Sequence, residues 1–346
     1  MKQIKNINLT KKIKLNSTNF NTPNLKLPPI TNKINTPNIE ELTFDDTLED
    51  KKFPKITSDN YIVQGITTTD NEILISAYTN ELNESGQKQN SKIYIYNKET
   101  NDFKGEILLN NNAHVGGLAI DKENNILYVT GNNGKINTYS YNNIIRNLKY
   151  VDKIDLNYEY LSDCIIPNTI SVADLTQVGT ASTICLKDEY LYVATFSGTK
   201  NGELVKLKLN YSNNEITTKS VSSPIDIPKL TQGIEIVNED NKEYLLTTES
   251  VGLAKSIIRL FEIKDDKLNE IGIKQLPEKG IEGINVDENY NVIYSYENEY
   301  ENKDYNATTT TFQALKKEIE ENNEKISISQ QIIRTLGGTI YELSKK

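Results

Sequence analysis

The chain has 346 residues, 25% of them charged and 36% hydrophobic, and carries a formal net charge of -9. An acidic balance of this size gives no electrostatic footprint for nucleic acid or for an anionic membrane surface, and no apolar run is long enough to span a bilayer. Two cysteines, Cys164 and Cys185, make neither a disulfide framework nor a metal-ligand pattern.

The N-terminal residues 1–20 alternate lysine and asparagine with Ile4, Ile7, Leu9, Ile13 and Leu15, a pattern suited to an extended strand. They contain no apolar stretch of signal-peptide length, so a cytoplasmic location is expected unless the chain has already been processed. Residues 21–57 are rich in proline and lack periodicity, which predicts an extension laid over a surface. Residues 1–57 are therefore read as an N-terminal closing strand and its extension, and 58–346 as the main domain.

From residue 58 onward one unit repeats. Its clearest copy runs from Ala113 to Tyr141: a strand opening at Gly116-Gly117-Leu118, a polar turn at Asp121–Asn125, a second strand at Ile126–Thr130, a turn at Asn132-Asn133-Gly134, and a third strand at Lys135–Tyr139. The same opening recurs at Gln64-Gly65-Ile66, Ser182-Thr183-Ile184, Gln232-Gly233-Ile234 and Glu282-Gly283-Ile284. Second strands centre on Leu74, Leu127, Leu191, Leu245 and Ile293. Third strands are predicted at Ser91–Tyr96, Gly134–Tyr139, Gly202–Leu207, Ser256–Phe261 and Gly338–Leu343.

A period near 50 residues with several strands per repeat predicts an all-β fold, a β-propeller, because a lone small sheet cannot bury both faces until its neighbours pack against it. Outer strands are predicted at Asp102–Leu109, Tyr150–Leu156, Glu215–Val221 and Lys267–Leu276. The fifth repeat has none of its own, so an N-terminal strand, with residues 1–20 as the candidate, is expected to close a five-bladed ring. A sixth blade would have to lie hidden in 21–57. Insertions are expected at 151–180 and 298–337, the second containing an amphipathic helix over Phe312–Lys325 with Phe312, Leu315 and Ile319 on one face. The first repeat carries a long polar hairpin, Asn80–Asn90.

The segment from His114 to Asp121, with Gln232-Gly233-Ile234 and Glu282-Gly283-Ile284, resembles the broad superfamily of gluconolactonase, strictosidine-synthase and NHL-like propellers. In its lactonase members the resemblance implies a divalent cation held by carboxylate and amide side chains at the channel mouth, with Glu249, Glu282 and Glu297 as counterparts. Independently of that resemblance, equivalent positions in a propeller converge on its axis. This makes Gln64, Ser182, Gln232 and Glu282, with His114 beside them, a candidate ligand ring, and Ca²⁺ a candidate cofactor through Glu249, Glu282 and Glu297.

No nucleophile elbow, zinc-protease motif or phosphate-binding loop occurs, and a catalytic triad would have to use the sole histidine, His114. Two functions follow as expectations. One is a noncatalytic module that binds a protein, peptide or glycan through the channel mouth and inserted loops. The other is a metal-assisted hydrolase of a lactone or ester.

Overall fold

The computed structural model describes residues 51–54, 60–171, 180–212, 215–250, 255–297 and 305–325. In chain order, β1 (Lys51–Pro54) is followed by β2 (Tyr61–Thr68), β3 (Glu72–Thr79), β4 (Lys92–Asn97) and β5 (Phe103–Leu108), the last four forming blade 1. Blade 2 comprises β6 (Leu118–Asp121), β7 (Ile126–Thr130) and β8 (Lys135–Ser140). Helix α1 (Tyr141–Leu148) and β9 (Lys153–Asp155) come next, before β10 (Ile165–Ser171) completes that blade. Blade 3 contains β11 (Thr180–Lys187), β12 (Tyr190–Phe196), β13 (Gly202–Ser212), β14 (Glu215–Ser220) and β15 (Ile225–Ile227). Blade 4 contains β16 (Thr231–Glu239), β17 (Lys242–Glu249), β18 (Lys255–Lys264) and β19 (Lys267–Lys279). Blade 5 is built from β20 (Ile281–Val286), β21 (Asn291–Tyr296) and β22 (Tyr305–Thr311), with β1 as its outer strand; helix α2 spans 312–325.

Each blade is an antiparallel meander, and its two faces are buried against its neighbours. Ile66 and Val63 of blade 1 cluster with Ile293 of blade 5, Ile184 of blade 3 with Ala119 of blade 2, Ile234 of blade 4 with Cys185 of blade 3, and Ile284 of blade 5 with Leu246 of blade 4. Middle strands such as Ile126–Thr130, buried along their whole length, therefore read as continuous apolar runs rather than as alternation. The predicted five-bladed, all-β ring is the observed one.

Three details differ from the sequence reading. The strand that closes the ring is Lys51–Pro54, pairing antiparallel with β22 from Lys51↔Thr309 to Pro54↔Tyr305; residues 1–20 lie outside the described residues. A strand this short, ending on a proline at a register shift, suits an outer edge, where a missing N–H costs no inner ladder bond. The third strand of blade 5 is Tyr305–Thr311. The segment Gly338–Leu343, read as that strand, lies outside the described residues.

The segment Tyr150–Leu156, read as the outer strand of blade 2, instead supplies β9, which pairs in parallel with β5 of blade 1. Helix α1 carries the chain across to that edge. Gly105 makes the approach possible: a Cβ there would lie 2.7 Å from the Leu148 side chain and 2.9 Å from the Asp152 carbonyl, and its φ of +152° is one L side chains rarely adopt. Blade 2 takes β10 as its outer strand instead.

The helix at 312–325 is as expected. It buries Phe312, Leu315 and Ile319 in the cluster between blades 4 and 5, and Gly272 in β19 leaves room for Ile319. On its solvent side Lys316 bonds Glu239 at 2.6 Å and Tyr244 at 3.0 Å. Both cysteines are buried and free.

Removing the chain through Pro54 exposes β22 as an open edge and leaves blade 5 with three strands. The melting temperature of such a truncation is expected to fall by several degrees or more. A melting curve that coincides with that of the full chain would contradict the assignment of Lys51–Pro54 as the closing strand.

Candidate functional site

The inner strands do not simply run straight along the axis. In blades 1, 3, 4 and 5 the register slips at their openings, between Val63 and Ile66, Ala181 and Thr183, Thr231 and Gly233, and Ile281 and Ile284. Gln64, Ser182, Gln232 and Glu282 occupy these four bulges, so the repeat alignment identified structurally equivalent positions. Next to each bulge, in every blade but the third, stands a glycine whose missing side chain lets adjacent inner strands touch through their backbones. A Cβ at Gly65 would lie 2.8 Å from the Gly116 carbonyl oxygen, at Gly116 2.5 Å from that of Ser182, at Gly233 2.7 Å from that of Glu282, and at Gly283 2.7 Å from the Ile66 amide.

A middle-strand hydroxyl sits over each of these contacts. The Gly65, Gly117 and Gly283 amides donate to Ser76, Thr130 and Ser295 at 2.9, 2.8 and 2.9 Å. Those hydroxyls pass the interaction to the next blade: Ser76 donates to the Val115 carbonyl at 2.6 Å, Thr130 to that of Ser182 at 3.4 Å, and Ser295 to that of Gln64 at 2.7 Å. Thr248 of blade 4 donates to the Glu282 carbonyl in the same way. In blade 3 the pair is reversed, Thr183 standing where the others have glycine and Ala194 opposite it.

The expected ligand ring therefore belongs to this tight end. Gln64 is buried and donates to the Val63 carbonyl at 2.8 Å. Ser182 and Gln232 are half-buried and reach the carbonyls of Ala194 and Ser250, both at 3.5 Å. His114 is exposed, its ring 4.2 Å from that of Tyr78. Glu282 is buried, and burial together with the neighbouring Glu297 charge raises its carboxyl well above the usual range. Glu249 stands apart from the pair. The Arg259 guanidinium grips both its oxygens, at 2.7 and 3.0 Å, and also reaches Glu270 at 2.9 Å. Among the described residues no group of three histidine, cysteine or acidic side chains is placed to hold a metal ion.

The open space lies at the other end of the inner strands. A cavity of about 840 Å³ is lined there by all five blades, with Thr68, Asp121, Lys187, Glu235 and Asn285 contributing one polar position each. Three of them form a chain across blades 1, 5 and 4: Thr68 donates to Asn285 Oδ1 at 2.7 Å, and Asn285 Nδ2 donates to Glu235 Oε2 at 3.1 Å. Burial pushes the Glu235 carboxyl up to about 8, so it holds its proton at neutral pH. At the rim Lys98 of blade 1 pairs with Asp287 of blade 5 at 2.8 Å, and Lys122 of blade 2 joins Asp70 of blade 1 to Glu288 of blade 5, the latter at 3.0 Å. Tyr211 donates to Asp121 and meets Tyr128 at 2.9 Å.

Many polar groups of the cavity are thus engaged with one another. Cys185, the sulfur beside it, is fully buried and its thiol is raised well above the ordinary range by burial and by Glu235, so it is no thiolate nucleophile. The sequence did carry a signal for this cavity: after Gly-Ile at the strand openings the next residue is Thr67, Glu235 or Asn285, polar within otherwise apolar runs.

No protein-family profile matches the chain, and no curated protein matches it. Among solved structures it is similar to that of U3-55K (9% identity over 73% of this chain and 95% of that chain, TM-score 0.38) and to the WD40 repeats of RRP9 (9%, 76% and 100%, 0.39). It is also similar to the WD40 domain of Toxoplasma gondii coronin (8%, 71% and 55%, 0.36). At these scores no argument about family or function rests on the likeness, and the propeller assignment stands on the five sheets themselves. Among the described residues no helix is long and apolar enough to cross a membrane.

Two measurements check this geometry. Ser295→Ala removes the acceptor of the Gly283 amide and the donor to the Gln64 carbonyl, a loss expected to cost about 1–3 kcal/mol in urea unfolding because the amide is left buried. An unchanged unfolding midpoint would contradict the role of the hydroxyl. For Glu235 the folded pKa lies above the unfolded one, so its contribution to stability is full below about pH 4.5 and is lost as pH rises through about 8. Glu235→Gln is expected to flatten that decline in a series of melting curves, and a parallel pH profile for wild type and variant would refute the buried-acid assignment.

Proposed function

We propose that the chain is a noncatalytic binding module, a propeller that takes a protein, peptide or glycan ligand at the open end of its channel and on its inserted loops. The observation that carries this reading is the cavity shared by all five blades, with cross-blade ion pairs at its rim and its thiol buried. Such a surface presents polar side chains from all five blades to a ligand, without an activated nucleophile beside a general base.

The lactonase-type alternative draws on Glu282 with Glu297, since Glu249 is committed to Arg259. A divalent ion there would polarise a carbonyl and lower the pKa of a bound water. Support for it is thinner, because two neighbouring carboxyls are fewer ligands than a Ca²⁺ ion takes.

The two readings separate in one pair of assays. Ligand captured on immobilised protein is expected to be lost from the double variant Thr68→Ala/Asn285→Ala, and chromogenic lactones and esters are expected to show no turnover with or without Ca²⁺. Capture unaffected by the double variant, or turnover abolished by Glu282→Gln, would overturn the proposal.

A further inference from the structure

A second recess lies away from the channel cavity, on blade 1, where the long hairpin after β3 folds over the sheet. It has a volume of about 740 Å³, and five of its lining side chains are amides: Asn83, Gln87, Gln89, Asn90 and Asn112. Its walls are pinned from several sides. Asn83 Oδ1 accepts from the Ser85 and Gln87 amides at 3.1 and 2.9 Å, and Leu82 and Lys88 bridge the hairpin. The Tyr61 hydroxyl donates to the Asn90 carbonyl at 2.8 Å, and Asn132 donates to Asn112 at 3.2 Å.

The inserted segment after α1 is tied to the wall of this recess. Asn90 donates to Asn157 at 3.2 Å, and Asn157 in turn reaches the Leu109 carbonyl at 3.4 Å. One and three residues beyond Asn157 stand Tyr158 and Tyr160, 55% and 77% exposed, with rings stacked 5.6 Å apart at an interplanar angle of 16°. Two large aromatic rings held parallel in water bury little for the fold itself and present a flat face to a ligand.

We infer that this recess and the tyrosine pair form a binding site for a neutral oligosaccharide. Amide side chains offer donors and acceptors together without charge, which matches a ligand whose hydroxyls are both. Exposed tyrosine rings match the C–H faces of a sugar. No carboxylate lines the recess, which disfavours a cationic ligand. Its lysine, Lys88, lies with its ammonium 4.7 Å from the centre of the Tyr78 ring, so it is partly spent on that contact and one cation makes a poor anion site. The hairpin and the insert are anchored by the bonds above, so little ordering has to be paid for on binding.

The inference rests on the binding-module reading but places its site on the blade 1 hairpin and the segment after α1 rather than in the channel cavity, so the two can fail separately. The test is native gel electrophoresis of the full chain through gels containing soluble starch, mixed-linkage β-glucan, xylan or galactomannan, with polygalacturonate as the anionic comparison. Retardation by at least one neutral polymer is expected. It should be weakened at least tenfold in apparent Kd by Tyr158→Ala/Tyr160→Ala and by Gln87→Ala/Gln89→Ala, and unchanged by Asn285→Ala in the channel cavity. Both double variants alter exposed or half-buried side chains, and unchanged melting temperatures establish that they fold. Retardation by none of the neutral polymers, retardation by polygalacturonate alone, or wild-type binding by both double variants overturns the inference. Loss of capture at the channel cavity with retardation intact would instead count for the channel reading without touching this one.

Discussion

The close approach of neighbouring inner strands is the constraint on which the rest of this structure depends. Five strands meet around the axis, and at four of their contacts a side chain is absent where the backbones touch, at Gly65, Gly116, Gly233 and Gly283. The carbonyls and amides brought together there are out of reach of bulk water and must find partners. Ser76, Thr130, Thr248 and Ser295 are those partners, each tying its own blade to the next. The contact between blades 5 and 1, where sequence-distant segments meet, uses the same device as the contacts between consecutive blades. The outer clasp of Lys51–Pro54 on β22 closes the ring a second time at its circumference.

Closing the ring at one end leaves room at the other. Beyond the glycines the strands carry full side chains that hold one another apart, and the cavity opens where polar residues meet rather than apolar ones. At its rim Lys98 and Lys122 pair with Asp70, Asp287 and Glu288 across three blades, and Asp287 stays ionised against its burial because Lys98 and Asn291 bond it. For Glu235 burial outweighs the Asn285 amide, the Lys187 charge and the backbone donors, and it therefore stays protonated at neutral pH.

Much of this was legible in the sequence, and where it was legible the reason is physical. The strand openings could be found because a glycine is required at the inner contact and a polar residue at the bulge before it, which together make a recognisable punctuation. The helix at 312–325 could be found because Phe312, Leu315 and Ile319 share one face. The destination of β9 could not. Ile154 and Leu156 alternate like any outer strand, and nothing local says that α1 delivers them to the neighbouring sheet. The third strand of blade 5 escaped because its threonines lack the small-residue opening of the other repeats, and Gly338 offered a better local match.

For the site, the repeat makes equivalent residues legible and leaves the crowded end of the channel illegible. Gln64, Ser182, Gln232 and Glu282 do sit at corresponding positions, but periodicity records equivalence and is blind to which end of a strand is crowded. Glu249 shows the same limit: it ends its strand while Glu297 follows its own, and Arg259, paired with Thr247 on the neighbouring strand, claims it. Side chains that convert a carboxylate from ligand to structural partner are invisible until strands are paired.

Amide hydrogen exchange at the inner-strand glycines tests the central claim most directly. If the blades are locked as one ring by the hydroxyl contacts, the amides of Gly65, Gly117 and Gly283 should exchange only through global unfolding, with matching protection free energies in blades 1, 2 and 5. Ser295→Ala should lower all three together. Protection that differs between blades by more than the error of the measurement, or a loss in the variant confined to Gly283, would contradict a ring that stands or opens as a unit.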